Sequence, residues 1–366
     1  MTDRKARRPR RRSGNGFIDI LNGLLTLLVL GLVIAGGALL YGVSQFYGEG
    51  PLKEETVFRV ESGSGLNSIS SRLEEQGLIG NAMIFQLGGR AMERSASIKA
   101  GDFRIPAGAS MADILTELTE GNPIRYAATI PEGWTSWEVI QRLNADSNLV
   151  GEISTLPAEG SILPGSYDYV PGATRQSVLD KMQTAMTTTL ASVWEGRDPD
   201  LPISTPEELL VLASIVEKET GVASERPQVA AVFVNRLRQG MRLQSDPTII
   251  YGITKGQATL GRGLRRSEIE AKTAYNTYQI DGLPPTPIAN PGVEALRAVA
   301  HPDEHNYLYF VAKGALPSEG HVFAETYKDH QANVARYRQI ADEAAAARKA
   351  LEDAEAEQAA DTPVAQ

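Results

Sequence analysis

The chain contains no cysteine. That excludes structural disulfides, thiolate metal centres and a cysteine nucleophile, and it leaves the compartment open. Histidine is scarce, with four in 366 residues. His301 and His305 stand four apart, but Pro302 lies between them and no third ligand is close. A surface or packing role is therefore expected for them, and no metal. Charge is unevenly spread: net charge is -9, the first dozen residues are strongly basic (Arg4, Lys5, Arg7, Arg8, Arg10, Arg11 and Arg12), and the last few dozen residues are rich in Ala, Glu and Asp. The acidic remainder argues against nucleic acid as a partner. At 42% hydrophobic residues the chain can bury a real core, and its length suggests two or three domains.

From about Leu21 to Val43 the sequence is apolar. About twenty such residues cross a hydrocarbon layer of roughly 30 Å. The length favours a retained anchor over a cleaved signal, although Gly37-Ala38 offers small residues for cleavage. The basic flank places the N-terminus in the cytoplasm and the rest of the chain on the outer side. The Arg run then reads as a topology signal and a contact for anionic lipid. Tyr41, Phe46 and Tyr47 suit the outer interface.

A strand, Gly turn, short helix pattern then occurs three times. The copies run from Phe58 through Gly63-Ser-Gly65, from Phe103 through Pro106-Ala-Gly108, and from Ala128 through Pro131-Glu-Gly133. Ser110 and Thr135 are N-cap residues in the second and third copies, while the first has Gly65 in that slot. The motif resembles small LysM-like modules that bind N-acetylhexosamine glycans. A generic α+β packing domain without a sugar site fits the same pattern.

The stretch that organises the rest is Leu209 to Thr220, read as a helix. Thr205 is its N-cap, Pro206 its first residue, Glu208 completes a Thr-x-x-Glu capping box, and Gly221 is placed to end it in a left-handed turn. Leu212, Ile215, Val216 and Glu219 fall at i, i+3, i+4 and i+7, so Glu219 continues the apolar stripe, whereas Glu217 lies on another line. Burial and the negative helix end both raise a carboxyl pKa there, which favours the protonated form a general acid needs. A carboxylate capped by a nearby Arg at an ordinary core edge is the other reading of the stripe alone.

A second helix is expected from Ser224 to Gly240, with Val229, Val232, Phe233 and Leu237 buried. Polar loops follow at Met241 to Thr248 and at Thr273 to Pro285. A helix is expected at Val293 to Ala300, strands at Tyr307 to Val311 and His321 to Phe323, and a last helix at Thr326 to Ile340. Beyond about Ala341 a frayed or disordered tail is expected.

Segment 209 to 330 resembles the catalytic domain of the endolytic murein transglycosylases. The matching runs are Ala213 to Thr220, Glu225 to Leu237, Met241 to Thr248, Ala274 to Tyr278, Gly282 to Pro285 and Tyr307 to Val311. With the anchor and the LysM-like region, the likeness covers most of residues 20 to 340. It implies an α+β architecture: a single N-terminal transmembrane helix, a LysM-like α+β module and an α+β catalytic domain. The expected boundaries are 1–20 basic tail, 21–43 span, 55–145 module, 146–340 catalytic domain and 341–366 acidic tail.

The resemblance implies cleavage of the β-1,4 bond between N-acetylmuramic acid and N-acetylglucosamine inside nascent peptidoglycan strands, leaving 1,6-anhydro ends and terminating elongation. It implies no cofactor, a place in the bacterial inner membrane with the catalytic domain periplasmic, and peptidoglycan synthases as partners. One Glu serves as acid and then base, and the family motif places it at Glu219. Gln244, Asp246, Tyr275, Asn276 and Tyr278 are suited to hydrogen-bond or stack on sugars, and equally to hold their loops together. Two other functions stay open. One is a membrane-tethered peptidoglycan-binding scaffold without catalysis. The other is a hydrolase that adds a second acid such as Asp246.

Overall fold

A computed structural model describes residues 16–360. The basic run from Arg4 to Arg12 and residues 361–366 lie outside them. Helix and short strand are mixed throughout, in two compact units, Met1–Ile124 and Arg125–Gln366.

The first unit opens with helix α1, Gly16–Tyr47. Within it Ile20–Tyr47 is long and apolar enough to cross a membrane, and its side chains are almost all exposed. Then come β1 (Thr56–Val60), α2 (Leu66–Glu75), α3 (Ala82–Ala91), β2 (Gly101–Ile105) and α4 (Met111–Glu120). β1 and β2 pair antiparallel with Phe58 opposite Phe103. Alternation sends Phe58, Val60, Phe103 and Ile105 to one face, where they meet Ile69, Leu73, Phe85, Ile114, Leu115 and Leu118. Each large side chain so buried contributes roughly 1.5–3 kcal/mol. Phe46, near the end of α1, is buried in this same core. Its ring lies on Gly88 of α3, where any Cβ would collide with it.

The turn after each strand needs a left-handed residue, and Gly63 (φ 81°), Gly108 (φ 71°) and Gly133 (φ 75°) supply it. Ser110 and Thr135 form capping boxes with Asp113 and Glu138, while Gly65 leaves α2 without a side-chain cap.

The third copy belongs to the second unit. Its strand β3 (Tyr126–Ile130) pairs with β4 (Gly165–Tyr169), and its helix is α5 (Ser136–Asn144). The turn between them is held by this unit: Gly133 N–H donates to the Asn290 carbonyl (3.0 Å), and Asn290 N–H to that of Trp134 (2.9 Å). The remaining elements are α6 (Arg175–Gly196), α7 (Pro206–Glu219), α8 (Arg226–Arg238), α9 (Asp246–Thr254), α10 (Arg266–Glu270), α11 (Val293–Ala300), β5 (Tyr309–Ala312), β6 (His321–Ala324) and α12 (Tyr327–Ala360). α7 is central. Its Leu209, Leu212, Ala213, Ile215 and Val216 join Val229, Ala230, Phe233 and Val234 of α8 and Ala295, Leu296 and Val299 of α11 in one core.

Three local expectations change. The Asp246-Pro247 pair opens helix α9 instead of a loop turn, with Pro in its first turn. The final helix continues through the Ala-rich run to Ala360, in keeping with the helix propensity of Ala, Glu, Lys and Arg. α7 ends without a left-handed glycine. Thr220 is extended (φ -138°, ψ 130°), and its hydroxyl accepts the Val222 N–H at 3.0 Å.

Candidate active site

Thr205 starts α7 by accepting the Glu208 N–H (3.2 Å), and Glu208 accepts in return from Ser204 N–H (2.6 Å), one residue ahead of the expected box. Near its C-terminal end the helix delivers two carboxylates, Glu217 and Glu219, into different surroundings. Glu217 is tied down. It accepts from Arg226 (3.2 Å) and from the Gly292 N–H (2.9 Å), and its side chain is 5% exposed. Arg226 also holds Glu132 of the third turn at 2.9 Å. Burial raises the Glu217 pKa, while the Gly292 N–H and Arg226 pull it back.

Glu219 faces a cavity of about 430 Å³. Around it stand Arg236 of α8, Leu243, Gln244 and Asp246, Tyr278, the β5 residues Tyr309, Phe310 and Val311, and Tyr327, His330 and Val334 of α12. Burial pushes the Glu219 pKa up to about 7. The neighbouring Ser245 hydroxyl lowers it, the Asp246 charge raises it, and Arg236 lowers it. Ser245 Oγ is buried and near enough to act on Glu219, but it completes no hydrogen bond of ordinary geometry. Arg236 does not clamp the acid. Its Nε donates to the Leu308 carbonyl (2.6 Å) and its Nη1 to that of Leu243 (2.7 Å), with the Tyr309 ring 5.3 Å away. The guanidinium is a buried positive charge committed to the backbone of two loops, and it acts on Glu219 through space.

The Gln244–Asp246 loop is fixed by Thr277, whose carbonyl accepts Gln244 N–H (3.1 Å) and whose hydroxyl accepts Ser245 N–H (2.9 Å). Gln244 is held left-handed (φ 50°), a strained backbone for a residue with a Cβ. Tyr278 donates to Asp246 at 2.7 Å, and burial with that bond raises the phenol's pKa.

Of the residues singled out in the sequence, Glu219, Gln244, Asp246 and Tyr278 line this cavity, while Tyr275 and Asn276 do not. Asn276 is fully buried. Its amide nitrogen donates to the carbonyls of Glu268, Ile269 and Ala271, and its oxygen accepts Tyr278 N–H at 3.0 Å. Tyr275 bonds Thr286 (2.7 Å) and stands by Tyr251 and Lys255. His301 meets Asp198 and His305 the Gln228 carbonyl, in separate contacts. Arg236, Ser245, Tyr309, Tyr327 and His330 were not foreseen. Arg236 carried a readable signal, since Val229, Val232, Phe233 and Arg236 repeat the i, i+3, i+4, i+7 spacing that singles out Glu219.

A family model described as the YceG-like family matches residues 58–336. The chain belongs to this family. The YceG-like match takes in all the cavity residues named above. A Bacillus subtilis (strain 168) protein named endolytic murein transglycosylase is 28% identical over 339 residues, covering 83% of this chain and 91% of its own length. A Streptococcus pneumoniae serotype 2 protein of the same name is 28% identical over 334 residues, covering 78% of this chain and 59% of its own. The crystal structure of a yceG-like protein from Listeria monocytogenes aligns with a TM-score of 0.48 at 25% identity, over 76% of this YceG-like chain and 98% of the other.

Proposed function

We propose that this protein is a membrane-anchored lytic transglycosylase that cuts peptidoglycan strands internally, with Glu219 as its one acid–base residue. The observation that carries the reading is the Glu219 carboxyl itself: partly buried, in no ion pair among the described residues, and facing a cavity with polar and aromatic walls, where burial pushes its pKa up to about 7. Protonated Glu219 gives its proton to the bridging oxygen as the C1–O bond of N-acetylmuramic acid breaks. The resulting carboxylate takes the proton of the 6-hydroxyl while O6 bonds to C1. The products are a free 4-hydroxyl on N-acetylglucosamine and a 1,6-anhydro end, with no water consumed. A carboxyl poised near neutrality serves both steps. The names of the Bacillus and Streptococcus relatives support the reaction class.

Gln244, Asp246 and Tyr278 are assigned to sugar contacts. Asp246 has a second assignment, because its charge adds to burial in raising the Glu219 pKa. The strand–turn–helix module is assigned to glycan retention in the LysM-like manner. α1 is assigned as the anchor, with the basic flank inside and the chain after about Tyr47 outside. Tethering there suits action on nascent strands beside their synthases and termination of their growth.

The deciding experiment is mass spectrometry of products from purified glycan strands, using the chain from about residue 50, its Glu219→Gln variant and its Asp246→Asn variant. Anhydro ends lost in Glu219→Gln support the lyase. Reducing ends lost in both variants point to a two-carboxylate hydrolase, which the closeness of Asp246 to Glu219 keeps in view. Glycan retained by folded wild type without cleavage means a scaffold.

A further inference from the structure

Buried polar side-chain atoms in native folds nearly always have a partner. Three among the described residues make no hydrogen bond: Arg226 Nε, Ser245 Oγ and His330 Nδ1. Ser245 is beside Glu219, and His330 lines the Glu219 cavity. His330 comes from α12, which enters the cavity wall through Tyr327, His330 and Val334 at i, i+3 and i+7. Its imidazole stacks on Tyr309 with centroids 5.2 Å apart and planes 21° apart, and Tyr327 stands 6.3 Å away on the other turn. The ring is thus gripped by packing while its Nδ1 has nothing to bond to. Packing alone is served equally well by a phenyl ring, which strands no nitrogen.

We propose that the first two turns of α12 form a glycan subsite of this cavity, in which His330 Nδ1 hydrogen-bonds a hydroxyl or acetamido group of an N-acetylhexosamine bound next to Glu219. The proposal rests on the glycan-cleaving function above. Burial and the Arg236 charge lower the His330 pKa, so the imidazole stays neutral and forms a hydrogen bond without adding a second cation to the cavity. Tyr327, which is exposed, offers a ring face for a sugar. The last helix of the domain is therefore part of the binding surface as well as a cover for the β5–β6 hairpin.

The test is equilibrium binding of purified glycan strands to the full chain in detergent, in a Glu219→Gln background so that nothing is cut. His330→Phe keeps the stacking and removes the nitrogen. It is expected to raise Kd tenfold or more while leaving the melting temperature unchanged or higher, and His330→Gln is expected to restore Kd to within threefold. A Kd within twofold of the background in His330→Phe overturns the proposal. So does a weakened affinity that comes with a lowered melting temperature and is not restored by Gln, because that is the signature of a packing role. Product chemistry is read separately on the chain with Glu219 intact. Reducing ends together with the His330→Phe binding loss keep the subsite and discard the lyase, whereas anhydro ends with no binding loss keep the lyase and discard the subsite.

Discussion

Glu217 and Glu219 are two residues apart on one helix, equally acidic in sequence, and opposite in circumstance. Glu217 has an arginine, a backbone N–H and, through Arg226, a second carboxylate; it joins α7 to α8, to the start of α11 and to the third repeat turn. Glu219 has a cavity, a nearby like charge and no ion pair. A hydrogen-bonded, charge-paired carboxylate fastens elements together, and its partners oppose the rise in pKa that burial causes. A carboxylate short of partners costs stability and keeps its proton. The helix turns about 100° per residue, so two steps are enough to separate these roles.

That contrast breaks most visibly in activity. Glu219→Gln is expected to lower glycan cleavage by about 10³-fold, the range of a lost general acid, with the fold intact by circular dichroism. Glu217→Gln is expected to do the reverse. It leaves Arg226 with only the half-exposed Glu132, lowers unfolding free energy by about 3 kcal/mol in urea titration, and keeps cleavage per folded molecule.

A third effect sharpens the comparison through pH. Glu219 titrates at about 7 when folded, against 4.5 for an ordinary Glu. The native state therefore binds more protons than the unfolded one between those values, so stability falls as pH rises from 4.5 to 7 and stays lower above. Glu219→Gln is expected to match wild type at pH 4 and to exceed it by about 2 kcal/mol at pH 8, the shift being discounted for solvent reaching the cavity. Thermal unfolding at the two pH values checks this, and wild-type cleavage should fall as pH rises through about 7, where Glu219 loses its proton. The smallest effect belongs to Gln244→Gly. Relief of the left-handed backbone is expected to add under about 1 kcal/mol of stability while weakening glycan binding, read by denaturation and by Kd.

Much of this was legible because helical periodicity is a property of short stretches. The Leu212–Glu219 stripe identified the cavity carboxylate, and the Thr205-Pro206 start and the Val293–Ala300 helix read directly from capping and spacing. The same spacing in α8 points to Arg236, yet a basic residue at a helix end is ordinarily a solvated one, and only the folded chain shows two loop carbonyls waiting for it. His330 had no local signal, because its neighbours Tyr309 and Arg236 are distant in sequence. Asn276 sits in the same short loop as Tyr278, and nothing local tells a loop's internal brace from its outward face. The third repeat looked like the first two, but its strand partner is β4, a pairing made across thirty-four intervening residues of irregular chain and helix.

The seat of Phe46 on Gly88 bears on how α1 is joined to the rest of the first unit. Ile20–Tyr47 is 28 residues long, roughly 42 Å of helix against a hydrocarbon layer of roughly 30 Å. A helix that long leans, or lifts its last turns clear of the lipid. Phe46, in the last turn, is buried in the first unit's core against Gly88, so helix and unit are joined by a packed side chain and not by a slack tether. With α1 across a bilayer, the first unit would tip as the helix tips, like a mast stepped into its deck.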